Sequence, residues 1–528
     1  MHILNNASRR VFLRQAGALS AMVGSTAAPL AMNLAAIGNA AAQGVSDYKA
    51  IVCLFYFGGN DSFNMVLPTD TTSYNNYFAT RNLAPDPIAL LAPGTAPNLT
   101  AAVASPARLG GAIPINPTNA QGRSFALHPL MTSVQTLFNV DRRLAVLPNI
   151  GPLMRPTTKA QYNTANFPKP ALLFSHNDQQ NTWMALGPEG STRGWGGLIG
   201  DLVVANGANS MPVFTAVSAT GNSVWLAGDG VRQYQVNSTG AIQLGVNSSG
   251  QVYGSTDVGA ALQRMVTTAR TGNLFEADAA SMAKRSIDAE AVLRTAMRAA
   301  SDPLFGTAPA SGAYNQNNDP KLRYLNPLTG AMAANTLAQQ FQVVARMIDA
   351  SLAGGVGARR QVFFVSIGGF DTHDGQNRSH ADLYARIDQA LKYFDDTLGG
   401  MNARNMVTTF SASDFGRTFT SNGDGTDHGW GSHHFVMGGA VNGGDLYGKF
   451  PVLGLKNTNN NNFDSSPDQL GSGSLLPGTA VDQLGATLGR WFGLSDGQVL
   501  SVFPNLQYWN AADRYLNFLP APAAARRA

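Results

Sequence analysis

Apolar and polar positions alternate along the chain in a way that marks a small number of buried strands and long helices. Lys49–Phe57 (KAIVCLFYF) is an unbroken apolar, β-rich run that ends in Gly58-Gly59-Asn60-Asp61-Ser62. A strand buried on both faces of a parallel sheet reads this way, with a loop at its carboxyl end. Four further runs of the same kind are Arg143–Asn149, Gln361–Ile367, Asn405–Ser411 and His434–Ala440. Between and around them lie helical patterns at Ser281–Ala300, Ala334–Leu352, His380–Leu398 and Ala480–Phe492. In the third of these Leu383, Ile387, Leu391 and Phe394 fall on one helical face. Strands alternating with helices predict an α/β fold with a largely parallel sheet.

Four stretches lack such periodicity and read as loops or insertions: 68–122, 217–254 (a possible β-excursion), 302–328 and 456–479. At the amino end, Arg9, Arg10 and Arg14 precede an apolar, small-residue run from Ala16 to about Ile37, followed by Ala40-Ala41-Ala42. That is the layout of a cleavable secretory signal. The adjacent arginines followed by Val11-Phe12-Leu13 resemble a twin-arginine signal, which is read by an export machinery that carries folded cargo. Gly17, Gly24, Pro29 and Gly38 interrupt the run, so no stable membrane span is expected after cleavage. The expected organisation is therefore a signal over residues 1–42 and one large domain over 43–528, placed in the periplasm or outside the cell.

Composition narrows the picture. The formal charge of +4 falls to 4 − 3 = +1 without the three signal arginines, so no basic patch argues for nucleic acid. Charged residues make up 13% of the chain and only three of the 32 acids are glutamate, which excludes a charged coiled coil or an acidic tail. The single cysteine, Cys53, lies in the first strand and has no partner for an intrachain disulfide. No P-loop, dinucleotide fingerprint, Gly-x-Ser-x-Gly elbow or Cys-x-x-Cys pair is evident.

Ligands in open α/β sheets bind beyond the carboxyl ends of the strands, and three of the predicted strands end in polar clusters there. These carry Asp61, then Gly369-Phe370-Asp371-Thr372-His373, then Ser413-Asp414-Phe415-Gly416-Arg417; Thr426-Asp427-His428 and His433-His434 follow shortly after. Aspartates and imidazoles converging from separate strand ends suit a divalent ion such as zinc, manganese or iron. Asp61 and Asp371 equally suit turns or helix caps, and Asp414 an ion pair with Arg417. Arg417 also suits bidentate binding of a tetrahedral anion.

Together, the segments GGND, GGFDTH, SDFGR and GTDHGW…HHFVMGGAV resemble the twin-arginine-exported family DUF1501, which is grouped with the alkaline phosphatase and sulfatase superfamily. The resemblance implies a three-layer α/β/α sandwich, alkaline-phosphatase-like, with one or two divalent ions, zinc first and manganese, iron, calcium or magnesium as alternatives. It implies Asp61, Asp371, His373, Asp414 and His428 as metal ligands, and a hydrolase of phosphate or sulfate esters acting on a small-molecule or glycan substrate. Ser175-His176 resembles the family's Ser-His segment, which makes Ser175 the nucleophile beside His176. A helix cap at Ser175 is the other reading of that residue, and Ser62 is the second candidate nucleophile. Phe415 stands where the superfamily usually has a histidine, and the Asp371/His373 spacing is tight. Those departures favour the alternative of a non-catalytic cell-envelope protein that keeps the fold and binds a glycan or protein partner.

Overall fold

The computed structural model describes residues 47–520 apart from 239, 242–244, 248 and 270–272; the twin-arginine segment lies outside the described residues. Nine strands form the main sheet: β1 (Lys49–Phe57), β2 (Leu144–Gly151), β3 (Ala216–Ser218), β4 (Tyr234–Asn237), β5 (Gly240–Ala241), β6 (Arg360–Gly368), β7 (Val407–Ser413), β8 (Ser432–Met437) and β9 (Thr479–Ala480). Their order across the sheet is β9-β2-β8-β7-β1-β6-β3-β4-β5. The core of the sheet is parallel: β1 pairs with β6 from Lys49↔Arg360 onward and with β7 from Ala50↔Val407 onward. β8 runs antiparallel to both β7 and β2.

The first strand matches the apolar run that predicts it, because the eight consecutive apolar or aromatic positions Ala50–Phe57 fit only a strand covered on both sides. Its alternate residues face different layers. Ala50, Val52, Leu54 and Tyr56 join a cluster with Phe341, Val344, Leu383 and Ile387. Ile51, Cys53 and Phe55 join another with Trp195, Ile199, Leu484 and Leu488. Helices thus cover both faces, and the fold is a three-layer α/β/α arrangement. Each large apolar side chain buried in these layers contributes about 1.5–3 kcal/mol.

Six helices matter for the site: α1 (Thr71–Arg81), α2 (His176–Ala185), α3 (Trp195–Ala205), α4 (Thr336–Leu352), α5 (Gln376–Gly400) and α6 (Val481–Phe492). α4, α5 and α6 follow their apolar periodicity to within a few residues, whereas the predicted helix Ser281–Ala300 is found earlier, at Leu274–Ala296.

Two expectations need correction. The stretch 68–122 is not merely a loop, since it holds α1, whose short aromatic stripe is Tyr74, Tyr77 and Phe78 and which starts on Asp70, whose carboxylate accepts from the Ser73 N–H at 3.1 Å. The fifth strand ends at Met437 rather than Ala440, because Gly438 passes so close to β7 that a Cβ there would lie 2.4 Å from the Val407 carbonyl oxygen. No helix among the described residues is long and apolar enough to cross a membrane.

Candidate metal centre

The parallel strands β1, β6 and β7 deliver their following loops to one edge of the sheet. Gly58, directly after β1, has φ +112°, and a Cβ on it would lie 2.3 Å from the Asp371 nitrogen. Only glycine lets the first loop run flush against the loop after β6. The Phe370 N–H donates to the Phe57 carbonyl at 3.1 Å, and the Gly58 N–H donates to Asp414 Oδ2 at 3.1 Å. The loop after β1 therefore ties the backbone at Asp371 and the carboxylate of Asp414 to one segment.

Around Asp371 stand three imidazoles. His176, Asp371 and His428 each offer a ligand atom, and the three atoms lie within 4.8 Å of one another. His176 Nε2 is 3.5 Å from Asp371 Oδ2, His428 Nε2 is 3.4 Å from Asp371 Oδ1, and His373 Nε2 is 3.1 Å from Asp371 Oδ1. Each ring is anchored through its other nitrogen. His176 Nδ1 is 2.7 Å from Asp414 Oδ2, His373 Nδ1 is 3.2 Å from Asp427 Oδ1, and His428 Nδ1 is 2.7 Å from the Phe174 carbonyl. A second partner on Nδ1 of this kind fixes the tautomer and turns Nε2 toward an ion.

The electrostatics agree with that orientation. His176 is held above its ordinary pKa, chiefly by the hydrogen bond to Asp414, which makes its free nitrogen a better donor. Burial, with Arg417 and the neighbouring histidines, pushes His428 below its ordinary value and keeps it neutral. At Asp371 burial works upward, but the Arg417 hydrogen bond and charge, with His176 and His373, hold the carboxyl below its usual range. An ionised carboxylate among imidazole nitrogens is a donor set that suits a divalent cation.

The sequence candidates divide. Asp371, His373 and His428 come together with His176, and Asp414 lies just behind them as the buried acceptor for His176 and for Gln180 Nε2 at 3.0 Å. Asp61 does not join the cluster. It is fully buried, its Oδ2 is paired with the guanidinium of Arg81, and Gln376 Nε2 donates to the same oxygen at 2.6 Å.

Arg417 is also fully buried. It donates to Asp371 Oδ1 at 2.8 Å, to the Gly58 carbonyl at 3.2 Å and to the Thr426 carbonyl, so it positions Asp371 rather than facing a substrate. Ser175 occupies the N-cap of α2, yet its hydroxyl caps no backbone N–H; it donates to Asp178 Oδ2 at 2.8 Å instead. Ser62 is buried within a turn.

Phe415 packs as an apolar floor, its ring 4.8 Å from His176 and 4.6 Å from His428. Sequence reasoning missed Asp427, Phe174 and Arg81. Asp427 adjoins His428 in the sequence, yet it is His373 that it anchors. Phe174 acts through a backbone carbonyl set by a left-handed φ of +73°, which no side-chain motif records.

The family described as "Protein of unknown function (DUF1501)" matches residues 48–503, and the chain belongs to it. No curated protein matches the sequence. Among solved structures, similarity extends to a protein described under metabolism of multiple glycosaminoglycans by Bacteroides thetaiotaomicron, at 10% identity, 86% of this chain, 74% of that one and a TM-score of 0.31. Ps i-CgsB with k-i-k-neocarrahexaose shows 9% identity, coverage of 88% and 76%, and a TM-score of 0.32. The C-terminal periplasmic domain of EcEptC from Escherichia coli, in complex with Zn, shows 9% identity, coverage of 75% and 74%, and a TM-score of 0.24. These likenesses are distant, and the functional reading rests on the site.

Proposed function

We propose that this DUF1501 member is an exported, metal-dependent hydrolase of phosphate or sulfate esters, in the manner of the alkaline phosphatase and sulfatase superfamily. The observation that carries the reading is the aim of three imidazole Nε2 atoms at one carboxylate, Asp371, each ring anchored through Nδ1. His176, His373, His428 and Asp371 would hold the ion, zinc first by the chemistry of the donors. Bound there, such an ion withdraws charge from the non-bridging oxygens of an ester.

The chain's own residues then have separate tasks. Asp178, 4% exposed, accepts the Ser175 Oγ proton along the 2.8 Å hydrogen bond as Oγ bonds to phosphorus or sulfur. The ester's bridging bond breaks, and the departing alkoxide takes the proton back from Asp178. Water then hydrolyses the serine ester and regenerates the hydroxyl. Arg417 keeps Asp371 ionised and in place.

The test is hydrolysis of p-nitrophenyl phosphate and p-nitrophenyl sulfate, with small glycan esters alongside. Ser175→Ala is expected to lower kcat by about 10³-fold or more, with His176→Ala comparably impaired. Undiminished turnover in Ser175→Ala would remove the serine mechanism.

Export is a separate proposal, supported by Arg9-Arg10 and the apolar run behind them. Replacing both arginines by lysine is expected to leave the protein in the cytoplasm with its signal uncleaved, as read by cell fractionation and mass. Periplasmic delivery of that variant at the normal level would dismiss the twin-arginine machinery as a partner.

A second reading is a non-catalytic envelope binder of a glycan or protein. It is favoured by one observation: Arg417, the arginine of the SDFGR segment, is enclosed by Asp371, Gly58 and Thr426 and is not free to orient an ester. Turnover in the hydrolysis panel decides between the two.

A further inference from the structure

We infer that the segment leading into Ser175 carries a subsite for a second anionic group of the substrate, built on Arg155 and Lys169. The preferred substrate is then an oligosaccharide bearing several sulfate or phosphate groups, not a small ester. The inference rests on the ester-hydrolase reading above and narrows its substrate class.

Charge along the chain marks the segment. No acid lies between Asp141 and Asp178, whereas Arg142, Arg143, Arg155, Lys159 and Lys169 all fall there. Three of these cations are committed. Arg143 pairs with Asp141 and Asp395, Arg142 donates to the Gly444 carbonyl, and Lys159 donates to the carbonyls of Phe463 and Ser466. Arg155 and Lys169 have no acid partner among the described residues and lie on aromatic rings instead. The Arg155 guanidinium is 4.4 Å from the ring centroid of Tyr508 and 5.9 Å from that of Phe167. Lys169 Nζ is 4.3 Å from the centroid of Tyr162. Arg155 Nε is buried without a hydrogen-bond partner, so the rings hold this guanidinium and acceptors do not.

The same rings tie the cations to the site. Tyr162 lies 5.9 Å from the ring of Trp430, which follows His428 by two residues. Lys169 precedes Ser175 by six residues, a stretch that reaches about 20 Å at most. An oligosaccharide a few units long spans that reach, with one ester at Ser175 and a second anion at the cations. A cation lying on a ring face keeps its N–H edge for the oxygens of a sulfate or phosphate group. A nucleic-acid strand would need those ring faces free for base stacking, and Arg155 and Lys169 occupy them. The charged sugar chain is the ligand that the arrangement fits.

The experiment is calorimetric titration of the full chain with heparin and dextran sulfate hexasaccharides at low and high salt. Unsulfated dextran hexasaccharide and a single-stranded hexanucleotide serve as controls. Binding of a sulfated sugar that weakens with salt is expected, with neither control bound. Arg155→Gln combined with Lys169→Gln should weaken it by about 10-fold or more. Lys169→Gln alone, an exposed change, should weaken it in the same direction, and Arg155→Lys should keep part of the affinity. Arg285→Gln, an exposed cation on the Leu274–Ala296 helix, should leave it as it is. If neither sulfated sugar binds, if the double variant binds as tightly as the wild type, or if the hexanucleotide binds equally well, the subsite is overturned. A sulfated sugar held by these two cations with no ester turned over would keep the subsite and end the hydrolase reading. Turnover of p-nitrophenyl esters with no sugar bound would do the reverse.

Discussion

Lowering the pH from 7 to 5 is expected to cost the protein on the order of 4 kcal/mol of folding stability, read as a fall in the urea midpoint. Four histidines outside the cluster are buried and neutral. Burial holds His380, His433 and His434 down to about 3 and His128 well below its ordinary value. Neither ring nitrogen of His380 has a hydrogen-bond partner.

A histidine depressed in the fold stays neutral inside while the unfolded chain takes up a proton. Its contribution is intact above pH ~6.5 and drains away as the pH falls below that value. Each such group loses about 2 kcal/mol by pH 5, so four lose about 8. Two aspartates titrate the other way. Burial raises Asp482 to about 7 and Asp388 to about 6, so what they contribute is full in acid and lost as the pH rises through those values. Between pH 7 and 5 they return about 4 kcal/mol, which leaves the net loss near 4.

Against a typical total of about 5–15 kcal/mol that is a large fraction. His380→Leu removes two unpaired nitrogens and should flatten the pH 5–7 decline by about 2 kcal/mol. A midpoint that does not move from pH 7 to 5 would show that these imidazoles are not held neutral.

The second large effect concerns Arg81 and Asp61, both fully buried and paired with each other. The Arg81 guanidinium also donates to the Thr418 and Phe419 carbonyls at 3.3 and 3.0 Å and lies over the rings of Phe63 and Tyr77. Arg81→Met leaves Asp61 as an uncompensated buried charge, with a cost of about 3–5 kcal/mol. Adding Asp61→Asn to the same chain removes that charge while keeping an acceptor for Gln376, and should recover much of the loss. A double variant as unstable as Arg81→Met alone would mean that the pairing with Asp61 is not what Arg81 contributes.

These cases show where sequence reading succeeds. The continuous apolar run of β1 has one physical solution, a strand covered on both faces, and its boundaries follow from composition alone. The polar clusters after β1, β6 and β7 are legible because the edge of a parallel sheet collects strand ends. Their division of labour is not. Asp61 and Asp371 look alike in sequence, each an aspartate after Gly-Gly-x. What separates them is that α1 brings Arg81 to the first. In sequence His176 reads as the neighbour of a nucleophile; only the fold shows buried Asp414 behind it, 2.7 Å from its Nδ1. Long-range partners decide roles here, and single-sequence patterns do not encode them.

The place of β1 in the sheet has a kinetic consequence. It is the first strand among the described residues and sits at the centre, and its pairing partner Arg360 follows Lys49 by 360 − 49 = 311 residues. At roughly 5–20 residues per second of synthesis, the partner strand emerges about 15–60 s later. For that interval the apolar strand Ala50–Phe57, with two open edges, lacks its sheet partners, a template for aggregation. Assembly of the sheet, and with it the histidine cluster that ends at His428, is confined to the time after most of the chain has left the ribosome.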